Sequence, residues 1–138
     1  MDFVIKAASD TVKLYATINA GGVVALLGFI SAIAGKEKSV FTSVQPFILP
    51  ITLFGSGLIS SMVAVGAMYW AQWFYATAPS RFRLDYQHPY IHQTKSSKGF
   101  EICGMCFHAL AVLASVSALA LFILGVWNCR EILQTAKL

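Results

Sequence analysis

The chain has 138 residues, of which 57% are hydrophobic and 12% charged, with a formal charge of +4. One domain at most fits that length, and a charged fraction about half of the roughly 25% usual in soluble domains leaves too little polar surface to cover a soluble core. The basic excess flanks apolar blocks and forms no basic stripe with base-stacking aromatics, which argues against a nucleic acid partner and assigns the charge to lipid headgroups and topology.

Ahead of the first span lie residues 1–14, where Phe3, Ala7 and Thr11, followed by Tyr15, recur at every fourth position, with Val4, Ala8 and Val12 beside them and Lys6, Asp10 and Lys13 on the other face. This is an amphipathic helix pattern. It lies in the membrane interface or extends the first span, and the absence of Pro and Gly before Gly21 favours extension. The first apolar block, residues 15–34, has no Asp, Glu, Lys or Arg, and Gly35 and Lys36-Glu37-Lys38 close it. Twenty residues at about 1.5 Å each cover the roughly 30 Å hydrocarbon layer. Ala32-Ile33-Ala34 matches a signal-peptidase site, but the leading region is long and holds Asp2 and Asp10, so the block is expected to remain as a span.

The second block, residues 47–78, is also uncharged and ends in Tyr69, Trp70, Trp73, Phe74 and Tyr75, an aromatic belt of the kind that settles at headgroup level. Pro46 and Pro50 are expected in the tolerant first turn, and Pro79 ends the helix. The third block, residues 106–129, has Trp127 as its belt residue and Arg130-Glu131 as its stop. Each block must be helical, because an open strand in lipid leaves backbone polar groups unpaired. The expected fold is an all-α membrane domain over 1–138: three transmembrane helices, an amphipathic N-terminal helical extension and a polar loop at 79–105.

Helices in lipid associate where small residues let backbones approach. Such stripes run through Gly21, Ala25, Gly28 and Ala32; through Gly57, Ser60, Ala64, Ala67 and Ala71; and through Ala111, Ala114, Ala118 and Gly125. Their alternating spacings of three and four follow the seam of a left-handed bundle. They pack one monomer, or they extend to a homo-oligomer or a larger membrane complex. Monomer packing suffices to account for them; the second is the hypothesis that three helices, with much surface facing lipid, motivate.

The spans hold no ionisable Asp, Glu, Lys or Arg, which argues against an ion-coupled transporter or pump. Asn19 is expected to hydrogen-bond to a neighbouring helix, while His108 and Asn128 sit near the ends of the third span. In the 79–105 loop, His88 and His92 have His-x3-His spacing, and Cys103 and Cys106 have Cys-x2-Cys spacing. Both spacings occur in zinc sites. The order is reversed from the usual finger, Pro89 biases His88 away from helical geometry, and Cys106 enters the membrane. Two interfacial histidines and two small apolar cysteines are the better reading. Three cysteines make no secreted disulfide framework, and the context of a Cys-x-x-Cys redox motif is missing. No haem-attachment sequence, phosphate loop, Gly-x-Ser-x-Gly or His-Glu-x-x-His is present. No metal, no cofactor and no catalytic residue is expected. Asp85 and Glu101 are expected to pair with nearby cations, and Arg81, Arg83, Lys95 and Lys98 to contact anionic headgroups or a partner protein.

Asn19-Ala20-Gly21-Gly22 followed by Ala25-Leu26-Leu27-Gly28-Phe29, with His88-Pro89-Tyr90 of the loop, resembles a group of small bacterial inner-membrane proteins of uncharacterised function. The resemblance implies three spans and a bacterial inner-membrane location, and brings no catalytic residue with it. Six basic residues (Lys6, Lys13, Arg81, Arg83, Lys95, Lys98) on one side against four (Lys36, Lys38, Arg130, Lys137) on the other favour a cytoplasmic N-terminus. The expected function is non-catalytic: an accessory or assembly subunit of a membrane complex, or a homo-oligomer. The alternative is a small oligomeric pore of the holin type, for which Thr52, Ser56, Ser60 and Gln72 offer a thin polar line.

Overall fold

In the computed structural model, which describes residues 2–34, 45–86, 88 and 90–135, the amphipathic start and the first apolar block are one helix, α1 (Asp2–Ala34). α2 (Gln45–Thr77) follows, then a short 3-10 turn (Ala78–Arg81), two strands β1 (Arg83–Leu84) and β2 (Ile91–His92), and α3 (Lys95–Thr135). The Lys36-Glu37-Lys38 stop and Lys137 lie outside the described residues, as do the side chains of Phe3, Val4, Ala7 and Ala8.

All three long helices are long and apolar enough to cross a membrane, by length and composition. At about 1.5 Å per residue, 33 residues of α1 extend about 50 Å and 41 residues of α3 about 60 Å, so each exceeds a roughly 30 Å hydrocarbon layer. Large apolar side chains such as Val24, Ile59, Met62, Leu113 and Val116 are exposed along them. In water such faces would aggregate; in a bilayer they meet lipid tails. Alkaline carbonate treatment of membranes is expected to leave the chain in the pellet, and its release into the supernatant would contradict three spans.

Two differences from the sequence expectations concern helix boundaries. Pro50 lies inside α2, beyond its first turn, and is fully buried. Lacking an N–H, it leaves the Pro46 carbonyl without its i+4 donor. The polar segment 79–105 is a loop only as far as Thr94, and residues 95–105 are the first three turns of α3. Thr94 explains that start. Its Oγ1 accepts the Ser97 N–H at 3.1 Å and its carbonyl accepts the Lys98 N–H at 3.1 Å, which is N-capping by a short hydroxyl residue.

The chain packs as two compact units, Met1–Met62 with Ala114–Leu138, and Val63–Leu113. In the first, the three helices meet around Phe54, Gly57, Ala118 and Gly125. In the second, α2 and α3 pair through aromatic rings. Phe74 stacks on Phe107 (centroids 5.5 Å) and meets Phe100 edge-on at 5.6 Å, while the ring of Tyr75 fills the space a Cβ at Gly104 would occupy.

Burial along the helices follows the heptad. In α2 the buried positions include Phe47, Pro50, Phe54, Gly57, Ser61, Ala64, Ala71 and Ala78; in α3 they are Ser97, Gly104, Ala111, Ala118 and Gly125. The α3 residues are all small and fall seven apart. Small side chains at one seam position permit close helix approach where no hydrophobic transfer energy drives it.

Candidate functional site

Asn19 is the polar centre of the first unit. It sits one turn into the first apolar block of α1 and is fully buried. Its Nδ2 donates to the Tyr15 carbonyl of its own helix at 2.8 Å and to the Ala118 carbonyl of α3 at 3.3 Å. Its carboxamide lies directly against Gly57 of α2, where a Cβ would stand 2.7 Å from Cγ. One side chain thus touches all three helices, and the expected bond to a neighbouring helix is present. Among the described residues Oδ1 receives no N–H or O–H donor; it is turned toward Gly57 of α2. Ser61, also fully buried, returns its hydroxyl to the Gly57 carbonyl at 3.0 Å.

In the same unit, Phe54 is clasped between two glycines. Added Cβ atoms at Gly22 of α1 and Gly125 of α3 would each come within 2.8 Å of its ring. Phe122 closes the cluster at 5.6 Å. No sequence motif marks Phe54 as an anchor.

The predicted small-residue stripes separate into two kinds. Gly57, Ala64, Ala67, Ala111, Ala118 and Gly125 are buried, and Ser60 and Ala114 are half-buried. Gly21, Ala25, Gly28 and Ala32 are all exposed, and nothing lies within 4 Å of a Cβ at Gly21 or Gly28. The face of α1 that packs is instead Val12, Tyr15, Asn19, Gly22, Val23 and Leu26, all buried or half-buried. At about 100° per residue the Gly21–Ala32 stripe lies on the opposite side of the helix.

In the second unit, Arg81, Arg83, Lys95 and Lys98 are all exposed around the segment joining α2 to α3. The Arg81 guanidinium lies over the Phe100 ring, 5.0 Å from its centroid, and its carbonyl accepts the Thr94 hydroxyl at 2.7 Å. Among the described residues Asp85 and Glu101 make none of the expected ion pairs. Asp85 Oδ1 accepts the Tyr86 N–H at 2.8 Å and Glu101 Oε1 accepts from Gln93 Nε2 at 3.2 Å. In its tight turn the Asp85 carboxylate meets the N–H of the following residue, a local bond that short acidic side chains favour, while Glu101, on α3, is met by a side-chain amide. Among the described residues the one ion pair is Lys13–Asp10 at 3.6 Å, exposed on both sides.

The belt residues Tyr69, Trp70, Trp73 and Trp127 are exposed. Trp70 and Trp73 meet edge-on at 5.8 Å, and Trp127 donates Nε1–H to Glu131 at 2.7 Å with Arg130 over its ring. The zinc candidates are dispersed by element: His88 in the turn against the Tyr90 ring, His92 on β2, and Cys103 and Cys106 exposed on α3 as free thiols. Among the described residues no three His, Cys, Asp or Glu side chains form a group that could hold a metal ion. Protein-family models, curated proteins and solved structures offer no match to this chain.

Proposed function

We propose that this chain is a non-catalytic, multi-pass membrane protein that works through helix–helix association. It docks the Gly21, Ala25, Gly28 and Ala32 face of α1 on a second copy or on a larger membrane complex. The observation that carries this reading is the direction of that face. The monomer packs α1 through Asn19 and its neighbours and leaves exposed a stripe whose composition suits close backbone approach. α1 is also the least covered span, with 6% of its most apolar stretch buried against 28% in α2. The basic-residue asymmetry supports a cytoplasmic N-terminus, and the sequence resemblance supports a bacterial inner membrane.

The pore reading ranks below association. Thr52 and Ser56 give their hydroxyls to the Leu49 and Leu53 carbonyls of their own helix, at 2.8 and 2.9 Å. Hydroxyls so engaged offer a pore little free hydrogen-bonding surface.

The test is the mass of the detergent-extracted complex, with co-purifying proteins identified, for the native chain and for Gly21→Leu/Gly28→Leu. The double variant should keep its fold, since both positions open on empty space, yet weaken association at least roughly tenfold, or about 1.4 kcal/mol. A native chain that runs as a lone monomer, or a double variant that associates unchanged, overturns the proposal.

A further inference from the structure

The segment between α2 and α3 folds as a two-faced hairpin. β1 and β2 pair antiparallel with Arg83 opposite His92 and Leu84 opposite Ile91. Directly opposed residues share a face and successive residues alternate. One face therefore carries Leu84 and Ile91, and the other Arg83 and His92. The Asp85 N–H donates to the Tyr90 carbonyl at 2.9 Å and closes the ladder toward the turn.

The apolar face is bare among the described residues: Leu84 is 80% exposed and Ile91 57%, and in the turn Tyr86 is fully exposed. A two-stranded ribbon is marginal by itself in water, and an exposed aliphatic pair adds nothing to its stability there. Its position changes that account. The hairpin is strung between the end of α2, at Trp73-Phe74-Tyr75-Ala76-Thr77, and the start of α3. It lies beside the aromatic belt that marks headgroup depth.

The charge on the same segment is uncompensated. Residues 81–98 contain Arg81, Arg83, Lys95 and Lys98 against one carboxylate, Asp85. Asp85 is spent on a backbone N–H, and among the described residues neither it nor Glu101 pairs with a cation. Lys95 and Lys98 stand in the first turn of α3, which has no acidic residue, so they add positive charge to the positive end of a 41-residue helix. An anion arriving there relieves both.

We infer that residues 81–86 and 90–98 form a docking surface for anionic lipid headgroups, with Leu84 and Ile91 entering the interface and Arg81, Arg83, Lys95 and Lys98 receiving phosphates. Exposed apolar residues on one side and cations around them are the combination by which interfacial elements bind anionic membranes. This rests on the membrane reading of the chain, and the test separates the two.

The experiment places single spin labels on the full chain, with Cys103, Cys106 and Cys129 replaced by Ala, at Leu84→Cys, Ile91→Cys and His92→Cys. Oxygen access is compared with access of a water-soluble nickel chelate. The vesicles are roughly one-third phosphatidylglycerol in phosphatidylcholine, an anionic surface. Labels at Leu84 and Ile91 should favour oxygen severalfold over the label at His92. That contrast should collapse in pure phosphatidylcholine and when Arg81, Arg83, Lys95 and Lys98 are all changed to Gln. Equal nickel access at all three positions, while the protein still floats with the vesicles, overturns the docking surface and leaves the membrane reading intact. So does a contrast that survives loss of the four cations. A chain that fails to float overturns both.

Discussion

Gly57→Ala is expected to cost about 2–4 kcal/mol of stability in micelles, the sum of an overpacking term of roughly 1–3 and a damaged interhelical hydrogen bond of roughly 1. The new methyl would stand 2.7 Å from Asn19 Cγ and 3.0 Å from Nδ2. A flexible exposed side chain would swing away. Asn19 has no such freedom, because it is fully buried and its Nδ2 is committed to the Tyr15 and Ala118 carbonyls. Moving it far enough to admit a methyl breaks the bond to α3 or separates α1 from α2.

The double variant isolates that cause. Asn19→Ala alone loses the bond to Ala118 but also removes an Oδ1 that has no donor, so its cost should stay near 1 kcal/mol. With the carboxamide gone, the Gly57 methyl has room. Asn19→Ala/Gly57→Ala should then be more stable than Gly57→Ala alone, with a coupling of about 2–3 kcal/mol. Additive costs in a denaturation series would mean that the methyl's clash lies elsewhere.

The seam that holds Gly57 was legible because it is periodic. Small residues recur at three and four positions through Gly57, Ser60, Ala64, Ala67 and Ala71, and the buried α2 positions keep a rhythm of threes and fours. Extending the third stripe upstream by sevens from Ala111 reaches Gly104 and Ser97, both buried. The signal for the early start of α3 was therefore present, but Lys95-Ser96-Ser97-Lys98-Gly99 reads as a polar linker by composition. A capping Thr94 and a heptad phase outweighed composition there. The same rhythm in α1 did not tell which way the stripe points. Periodicity fixes that residues share a face; the polar Asn19 and the position of Phe54 decide that the opposite face turns inward.

The candidate docking surface was legible in charge and not in shape. Arg81, Arg83, Lys95 and Lys98 stand out in any reading of the chain. The hairpin that arranges them has two residues per strand, too short for an alternation pattern to show. The expected pairing of Asp85 and Glu101 with cations failed for a related reason. Proximity in sequence sets which groups are near, while turn geometry and helix phase set which of them a carboxylate reaches.

Phe54→Ala should be the second most damaging change, at about 2–3 kcal/mol. In a soluble core, Phe→Ala costs roughly 3–5 kcal/mol, made of a transfer term and a cavity term. For helices already in lipid the transfer term is small, because tails are as apolar as the packed interior. What remains is the void and the dispersion attraction its lining forfeits. That attraction is concentrated at Phe54, whose ring fills the notches left by Gly22 and Gly125 and meets Phe122. The notches also predict the sign of a second pair. Gly125→Ala drives a methyl into the ring at 2.8 Å and should destabilise by itself, whereas on a Phe54→Leu background much of that cost should vanish. Thermal or detergent-induced unfolding of these variants decides it. An unchanged Phe54→Ala midpoint would mean that the glycines, and not the ring between them, hold the first unit together.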